Sequence, residues 1–286
     1  MMRSERRWAL LAVAPATLGL AVFVLLPILA TLAISWFAWD VLTAPRWVGT
    51  ANVTALFADV RFWDALANTA RFVAASVTGG LILALAVALA IEGLGRGRTI
   101  VRIALIMPIC ASSVATSLAW RWFLNTDFGL ANSTMGSLGL APVPWLSSTE
   151  WAMVSLVAVA IWKGIGYDVI LFVAGLQSVP THLHDAARLD GADAWQRFRA
   201  ITLPMLSPTT SFVFVIATVR AAHAFDLVYV LTGGGPADAT LTLTVLIYQL
   251  AFQFFQFGYA AAIAWVLFLV VAGLMLLRPR VPDLTE

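Results

Sequence analysis

The sequence predicts an all-α polytopic membrane protein with six transmembrane helices. Three observations carry that expectation. Of 286 residues, 61% are hydrophobic and only 11% charged, against about 25% charged in soluble domains; two soluble cores of this combined length would lack the charges to cover their surfaces. Mean hydropathy is +0.91. The apolar residues also gather into runs that reach the roughly 20 residues needed to cross a bilayer. The net charge of +2 arises from short basic clusters between these runs rather than from one basic face, which argues against a nucleic-acid partner.

No charged residue stands between Arg7 and Asp40. A cleavable signal segment has an apolar stretch of only about 7–15 residues, so this longer run reads as a retained first span, 9–37, with kinks at Pro15 and Pro27. The second span, 72–91, lies between Arg71 and Glu92. The third, 103–120, contains Pro108 and the only cysteine, Cys110, read as a small buried hydrophobe. The fourth, 151–176, holds Lys163 and Asp168, with Gly164 and Gly166 predicting a break or kink. The fifth, 206–231, carries Arg220, His223 and Asp226 in its outer half, and the sixth covers 258–277. The apolar stretch 241–257 is interrupted by Gln249, Gln253 and Gln256 and reads as a helix lying against, or dipping into, the outer leaflet. All of 1–286 forms one transmembrane domain on this reading, with no internal repeat of the kind that marks inverted-repeat transporters.

Orientation follows from the basic residues. With the N-terminus inside, the cytoplasmic side collects Arg3, Arg6, Arg7, Arg96, Arg98, Arg102, Arg188, Arg197, Arg199, Arg278 and Arg280; the outer side has Arg46, Arg61, Arg71 and Arg121. Both termini are therefore expected in the cytoplasm. Tryptophans such as Trp8, Trp36, Trp120 and Trp151 fall near span ends as interface anchors, whereas Trp162 falls within a span.

The cytoplasmic loop 177–205 carries the most information. Thr181 follows Pro180 and is placed to cap a helix of about ten residues. Ala186 and Ala187 give that helix a smooth face, and Gly191 permits a tight reversal that a Cβ would hinder. Asp193 is placed to cap a second short helix bearing Trp195, Phe198 and Ile201, which Pro204 ends. A short helix offered outward suits a partner's groove.

Asp185-Ala186-Ala187, then Gly191, then Ile201-Thr202-Leu203-Pro204 resembles the EAA loop of permease subunits in binding-protein-dependent ABC importers, with Asp185 in place of the usual Glu. Flanking residues are similar to the carbohydrate (maltose-type) branch: Gly175-Leu176-Gln177, Asp190-Gly191-Ala192, Trp195 to Phe198, Phe225-Asp226, Thr232-Gly233-Gly234-Gly235-Pro236, Tyr248, Phe252 and Gly258-Tyr259-Ala260-Ala261. Asn68-Thr69 and Asn132 agree with it. The resemblance implies the type I importer permease fold in a bacterial-type cell membrane. It implies as partners a second homologous permease, two cytoplasmic ATPase subunits, an extracytoplasmic solute-binding protein and a sugar-like solute. On the same resemblance, residues from about Thr181 to Gly191 form the coupling helix in an ATPase groove, and Gly233 to Pro236 an outer loop near the binding protein. ATP and Mg would be bound by the partner subunits: a phosphate-binding loop needs Gly-Lys-Ser/Thr, whereas the only lysine, Lys163, sits between Trp162 and Gly164. The chain is thus expected to be no enzyme and to hold no cofactor of its own.

An ionisable group in the hydrocarbon region costs about 2.5–3.5 kcal/mol on insertion scales, so each calls for a partner or an aqueous cavity. Lys163 and Asp168 read either as a mutual or inter-span charge pair or, with Trp162 and Tyr167, as the lining of a solute path. Arg220, His223 and Asp226 recur at i, i+3 steps and read either as a self-satisfied stripe or as cavity lining; Tyr229 is placed with them. The planar fork of Arg220 would also suit a phosphate, which keeps a glycerol-3-phosphate or glycerophosphodiester importer as an alternative. An ion-coupled secondary transporter, with Lys163, Asp168 or Asp226 as relays, is the competing class. His182 and His184 lack the i, i+4 spacing of a helical metal pair, and no metal site is expected. No paired acid and base or nucleophile-histidine set suggests an intramembrane enzyme.

Overall fold

The computed structural model describes residues 2–94 and 97–276. Arg96, Leu277, Arg278 and Arg280 lie outside the described residues, as do the side chains of Arg3, Arg6, Arg7 and Trp8. Two compact units are present: Met1–Trp63 with Leu246–Phe268, and Asp64–Val245 with Leu269–Glu286. Among the described residues, four helices are long and apolar enough to cross a membrane, or up to six spans if each of two bent helix pairs is counted as one.

In the first unit, α1 (Met2–Leu20) passes through a π-helical turn, Ala21–Leu25, into α2 (Leu26–Ile34). The wide turn falls just before Pro27, where it accommodates a residue that lacks the N–H of a regular helix. A two-stranded antiparallel ribbon, β1 (Phe37–Ala38) and β2 (Arg46–Trp47), follows; the first span therefore ends at Ile34 rather than at 37. Asn52, on α3 (Ala51–Ala58), donates to the carbonyls of Ser35 (2.8 Å) and Phe37 (3.0 Å). Gly258 lies against that same Phe37 carbonyl, in space a Cβ would need. Beside it, the Tyr259 hydroxyl donates to Asp59 Oδ2 at 2.6 Å, and Ala260 and Ala261 are buried. The Gly-Tyr-Ala-Ala sequence is a packing motif.

α4 (Val60–Glu92) is an unbroken helix of 33 residues, beginning twelve residues before the expected second span. In the second unit it packs Ala84, Ala88 and Ile91 against Ile165, Val169, Phe172 and Val173 of α8 (Trp151–Gln177) and Val213 of α12 (Ser207–Ala222). The third span is not one helix. α5 (Arg98–Cys110) and α6 (Ser113–Phe123) meet at 100°, because Ala111 and Ser112 are extended (ψ 144° and 136°). The bend leaves Cys110 exposed rather than buried. α7 (Leu130–Ser137) is tied down by Asn132, which bonds Thr126, both backbone groups of Val143 and the Trp145 ring N–H.

α8 itself is continuous, so Gly164 and Gly166 do not break it. They allow close approach instead, the usual use of small residues between membrane helices. A Cβ on Gly166 would land on the Leu105 carbonyl of α5, and one on Gly175 would stand 2.5 Å from Thr209 Oγ1 of α12.

The loop continues through α9 (Thr181–Leu189), α10 (Ala194–Arg197), a π-helical turn Phe198–Thr202 and α11 (Leu203–Met205). Pro204 therefore sits inside a helical segment that ends in a 63° bend into α12. α12 stops at Ala222, and α13 (Phe225–Leu231) restarts after His223 and Ala224; the expected fifth span is two helices.

Gly233 and Gly234 then take left-handed φ of 64° and 96°, values that carry a steric cost for residues with a Cβ. Asn68 Nδ2 holds this loop by donating to the Asp238 and Leu241 carbonyls, and Thr69 Oγ1 accepts from the Leu243 N–H. α14 (Leu243–Tyr248) and the π-helical turn Gln249–Gln253 lead to α15 (Phe257–Leu276). Leu241, Leu243, Val245 and Leu246 are almost wholly buried. Segment 241–257 thus packs into protein at its start, and Gln253 and Gln256 fall toward its end.

Candidate functional site

A cavity of about 490 Å³ opens within the second unit, lined from α4, the α5–α6 bend, α8 and the α12–α13 junction. Its polar wall begins with Asp168, which is 1% exposed. Arg220 crosses from α12 and donates to Asp168 Oδ2 at 2.6 Å. The crossing depends on Gly164, one helical turn before Asp168 on the same face: a Cβ there would stand 2.9 Å from the guanidinium nitrogens. Gly164 is a saddle for the arginine.

Lys163 does not pair with Asp168. Five residues apart, the two point in different directions around the helix. The Lys163 ammonium instead donates to the Ala111 carbonyl at 3.2 Å, with Thr116 Oγ1 at 3.5 Å. Ala111 is the C-cap of α5, where carbonyls have lost their helical partners and the helix dipole favours a cation. The lysine thus supplies a donor to a helix end broken inside an apolar span, the condition under which such breaks are tolerated.

His223 caps α12 and its Nδ1 is 2.9 Å from the Val219 carbonyl; Asp226 sits in the first turn of α13. The helix break between them means that Arg220, His223 and Asp226 are not one helical stripe, yet all three line the cavity with Lys163, Tyr167 and Asp168. Trp162 and Tyr229 are not in that lining: Trp162 packs edge-on against Trp120 at 5.1 Å, and Tyr229 stacks on Phe225 at 5.1 Å. Ser76 and Gly80 of α4, and Ile109 and Ser113 on either side of the α5–α6 bend, complete walls that sequence reading did not place. Gly164 four residues before an in-span Asp168 was the one local signal of this geometry.

The loop forms a second, separate feature. Gly191 has φ 80°, and the N–H groups of Gly191 and Ala192 donate to the carbonyls of Arg188 (3.1 Å) and Ala187 (2.9 Å). That is a Schellman ending of α9, and it explains the spacing of Ala187 and Gly191. Thr181 is the first helical residue after Pro180, and its side chain makes no cap. Asp193 does cap: its carboxylate accepts from the Gln196 N–H while the Gln196 side chain accepts from the Asp193 N–H, both at 2.8 Å, a reciprocal capping box. Asp185 pairs with Arg188 at 3.1 Å on the exposed face. Ala186 and Asp190 are exposed, Ala187, Ile201 and Pro204 half-buried, and Leu189, Trp195 and Leu203 present apolar surface, Leu189 at 91% exposure.

The chain is a multi-pass helical protein with a polar cavity in its second unit and a capped helical loop, the anatomy expected of a transporter's membrane component. The chain belongs to the family of binding-protein-dependent transport system inner membrane components, which it matches over residues 2–281. It is 35% identical over 274 residues to the lactose transport system permease protein LacF of Rhizobium radiobacter (94% of this chain, 91% of that one). With the trehalose/maltose transport system permease protein MalF of Thermococcus litoralis it shares 32% over 282 residues (97% and 94%). Among solved structures it resembles a chain of a bacterial alginate ABC transporter in complex with alginate pentasaccharide-bound periplasmic protein, at 25% identity and a TM-score of 0.82, covering 96% of this chain and 93% of that one. The protein is a multi-pass permease subunit of an ABC importer.

Proposed function

We propose that this permease imports a sugar or related polyol by alternating access, and that the cavity around Asp168 and Arg220 is its part of the solute path. The observation that carries the reading is the convergence of Lys163, Tyr167, Asp168, Arg220, His223 and Asp226 on one cavity within an otherwise apolar bundle. An aromatic face and several fixed polar groups suit a hydroxyl-rich solute, as ligand cavities commonly combine apolar walls with a few placed polar groups. An extracytoplasmic binding protein would deliver the solute toward the outer loop at Gly233 to Pro236. A second permease subunit would complete the path.

Energy would come from two ATPase subunits holding ATP and Mg. One of them would receive α9 in a groove, with Ala186, Ala187, Asp190 and Gly191 at the contact and Ile201, Leu203 and Pro204 transmitting its movement to α12. The excess of arginine on the α9 side supports a cytoplasmic location for the loop and both termini.

Reconstitution of the assembled complex tests this. Uptake of lactose or trehalose should require ATP hydrolysis and the binding protein. Uptake that persists without ATP but follows an imposed proton gradient would replace this reading with an ion-coupled transporter.

A further inference from the structure

We infer that Asp168 is the hydroxyl acceptor of the cavity and that, through it, the permease selects neutral hydroxyl-bearing solutes over anionic ones. This rests on the reading of the cavity as the solute path. The described lining holds two cationic side chains, Lys163 and Arg220, and two carboxylates, Asp168 and Asp226. Both cations are engaged: Arg220 donates to Asp168 Oδ2 and Lys163 to the Ala111 carbonyl. Both keep further N–H donors, and the buried group left wholly unmet is an acceptor. Among the described residues, Asp168 Oδ1 has no hydrogen-bond partner although the residue is 1% exposed. Ser76 Oγ, in the same lining, is also buried without one.

A buried acceptor left without a donor is costly, and such groups in native structures call for an explanation. A solute hydroxyl supplies the donor. An ionised carboxylate only accepts, so a phosphate, sulfonate or carboxylate on the solute would bring a second acceptor and a like charge against it where water screens poorly. Arg220 offers such an anion its remaining N–H donors but no net charge, because Asp168 balances it at 2.6 Å. Gly80 of α4 lies beside this carboxylate: a Cβ there would be in ordinary contact, 3.9 Å, with Asp168 Oδ2.

The single native cysteine makes a direct test available. In a Cys110→Ser background, Ser113→Cys and, separately, Ile216→Cys place one thiol in the lining from α6 or from α12. In the complex assembled with its partner subunits, labelling by methyl methanethiosulfonate is followed while lactose, trehalose, glycerol 3-phosphate or glucuronate is titrated. The neutral sugars should slow labelling and the two anions should not. Asp168→Asn keeps a bond to Arg220 but places an amide donor where Oδ1 stood. It should raise the half-protecting sugar concentration by about tenfold or more, the worth of a charge-assisted hydrogen bond, with the unprotected labelling rate unchanged. Ser76→Ala, which leaves the ion pair intact, should raise it by a smaller factor. Protection by either anion as strong as that by the sugars, or full sugar protection in Asp168→Asn, overturns the inference and leaves the solute path standing. Absence of any protection at both positions overturns the path reading together with it.

Discussion

Helix α8 and the loop that follows it treat charge and apolar surface in opposite ways. In α8, Asp168 is buried and answered by Arg220, while the Lys163 ammonium is held by a helix end; glycines at 164, 166 and 175 let α5 and α12 close against it. In α9 to α11, Asp185 and Arg188 pair in the open, and Leu189 and Trp195 are 91% and 66% exposed. Buried apolar contacts and paired charges complete the first region within this chain. The second has a backbone fixed by its own caps, with apolar side chains left exposed. The lesson is that stability and coupling should separate cleanly by mutation.

The largest effect tests the closed region. Gly166→Leu drives a side chain into the Leu105 carbonyl, backbone that cannot rotate aside, so its cost should go well beyond the roughly 1–3 kcal/mol of ordinary overpacking. Detergent-extracted protein should lose its monodisperse peak in size-exclusion chromatography. Arg220→Ala comes next: leaving a buried charge unpaired costs about 3–5 kcal/mol, and the half-exposed arginine places this case near the lower end. Its melting temperature should fall well below wild type, and a solute KM left unchanged would detach Arg220 from the path.

Gly191→Ile addresses the open region. A β-branched residue at φ 80° costs about 1–2 kcal/mol locally, and the Schellman ending should be distorted. Membrane insertion and melting should stay near wild type while ATPase subunits are lost on co-purification; wild-type transport would contradict the docking role. The smallest stability effect belongs to Asp185→Ala. An exposed pair of this kind contributes roughly 0.2–1 kcal/mol, so melting should barely move. A large shift would show that the loop is not the open region described here.

How much of this was legible follows from what each feature depends on. The apolar runs and the positions of Gly191 and Asp193 are local, set by run length and backbone chemistry; the structure shows the turn and the cap, but it shifts the bounds of the first two expected spans and breaks the third and fifth. The α5–α6 bend at Ala111 is not local. Pro108 marks strain nearby, but the break persists because Lys163, 52 residues away, satisfies it. For Asp168 the sequence allowed a mutual or an inter-span pair; the inter-span one forms, with Arg220 on another helix, while helical geometry turns Lys163 away. The three cavity residues from Arg220 to Asp226 were grouped correctly for the wrong reason, since a helix break, not a continuous face, brings them together. Cys110 was misjudged because burial was inferred from apolar neighbours before the bend was known.

The two ends of the loop's turn bear on the thermodynamics of docking. α9 is closed by the bonds at Gly191 and Ala192, α10 opens with the Asp193–Gln196 box, and Arg197 Nη1 donates back to the Ala192 carbonyl at 2.6 Å. Few backbone rotations remain to be frozen when a partner arrives. Ordering costs that usually consume much of an interface's gross energy are largely met during folding, so the docking proposed for α9 would need only a small additional apolar contact, for which Leu189 and Trp195 are exposed.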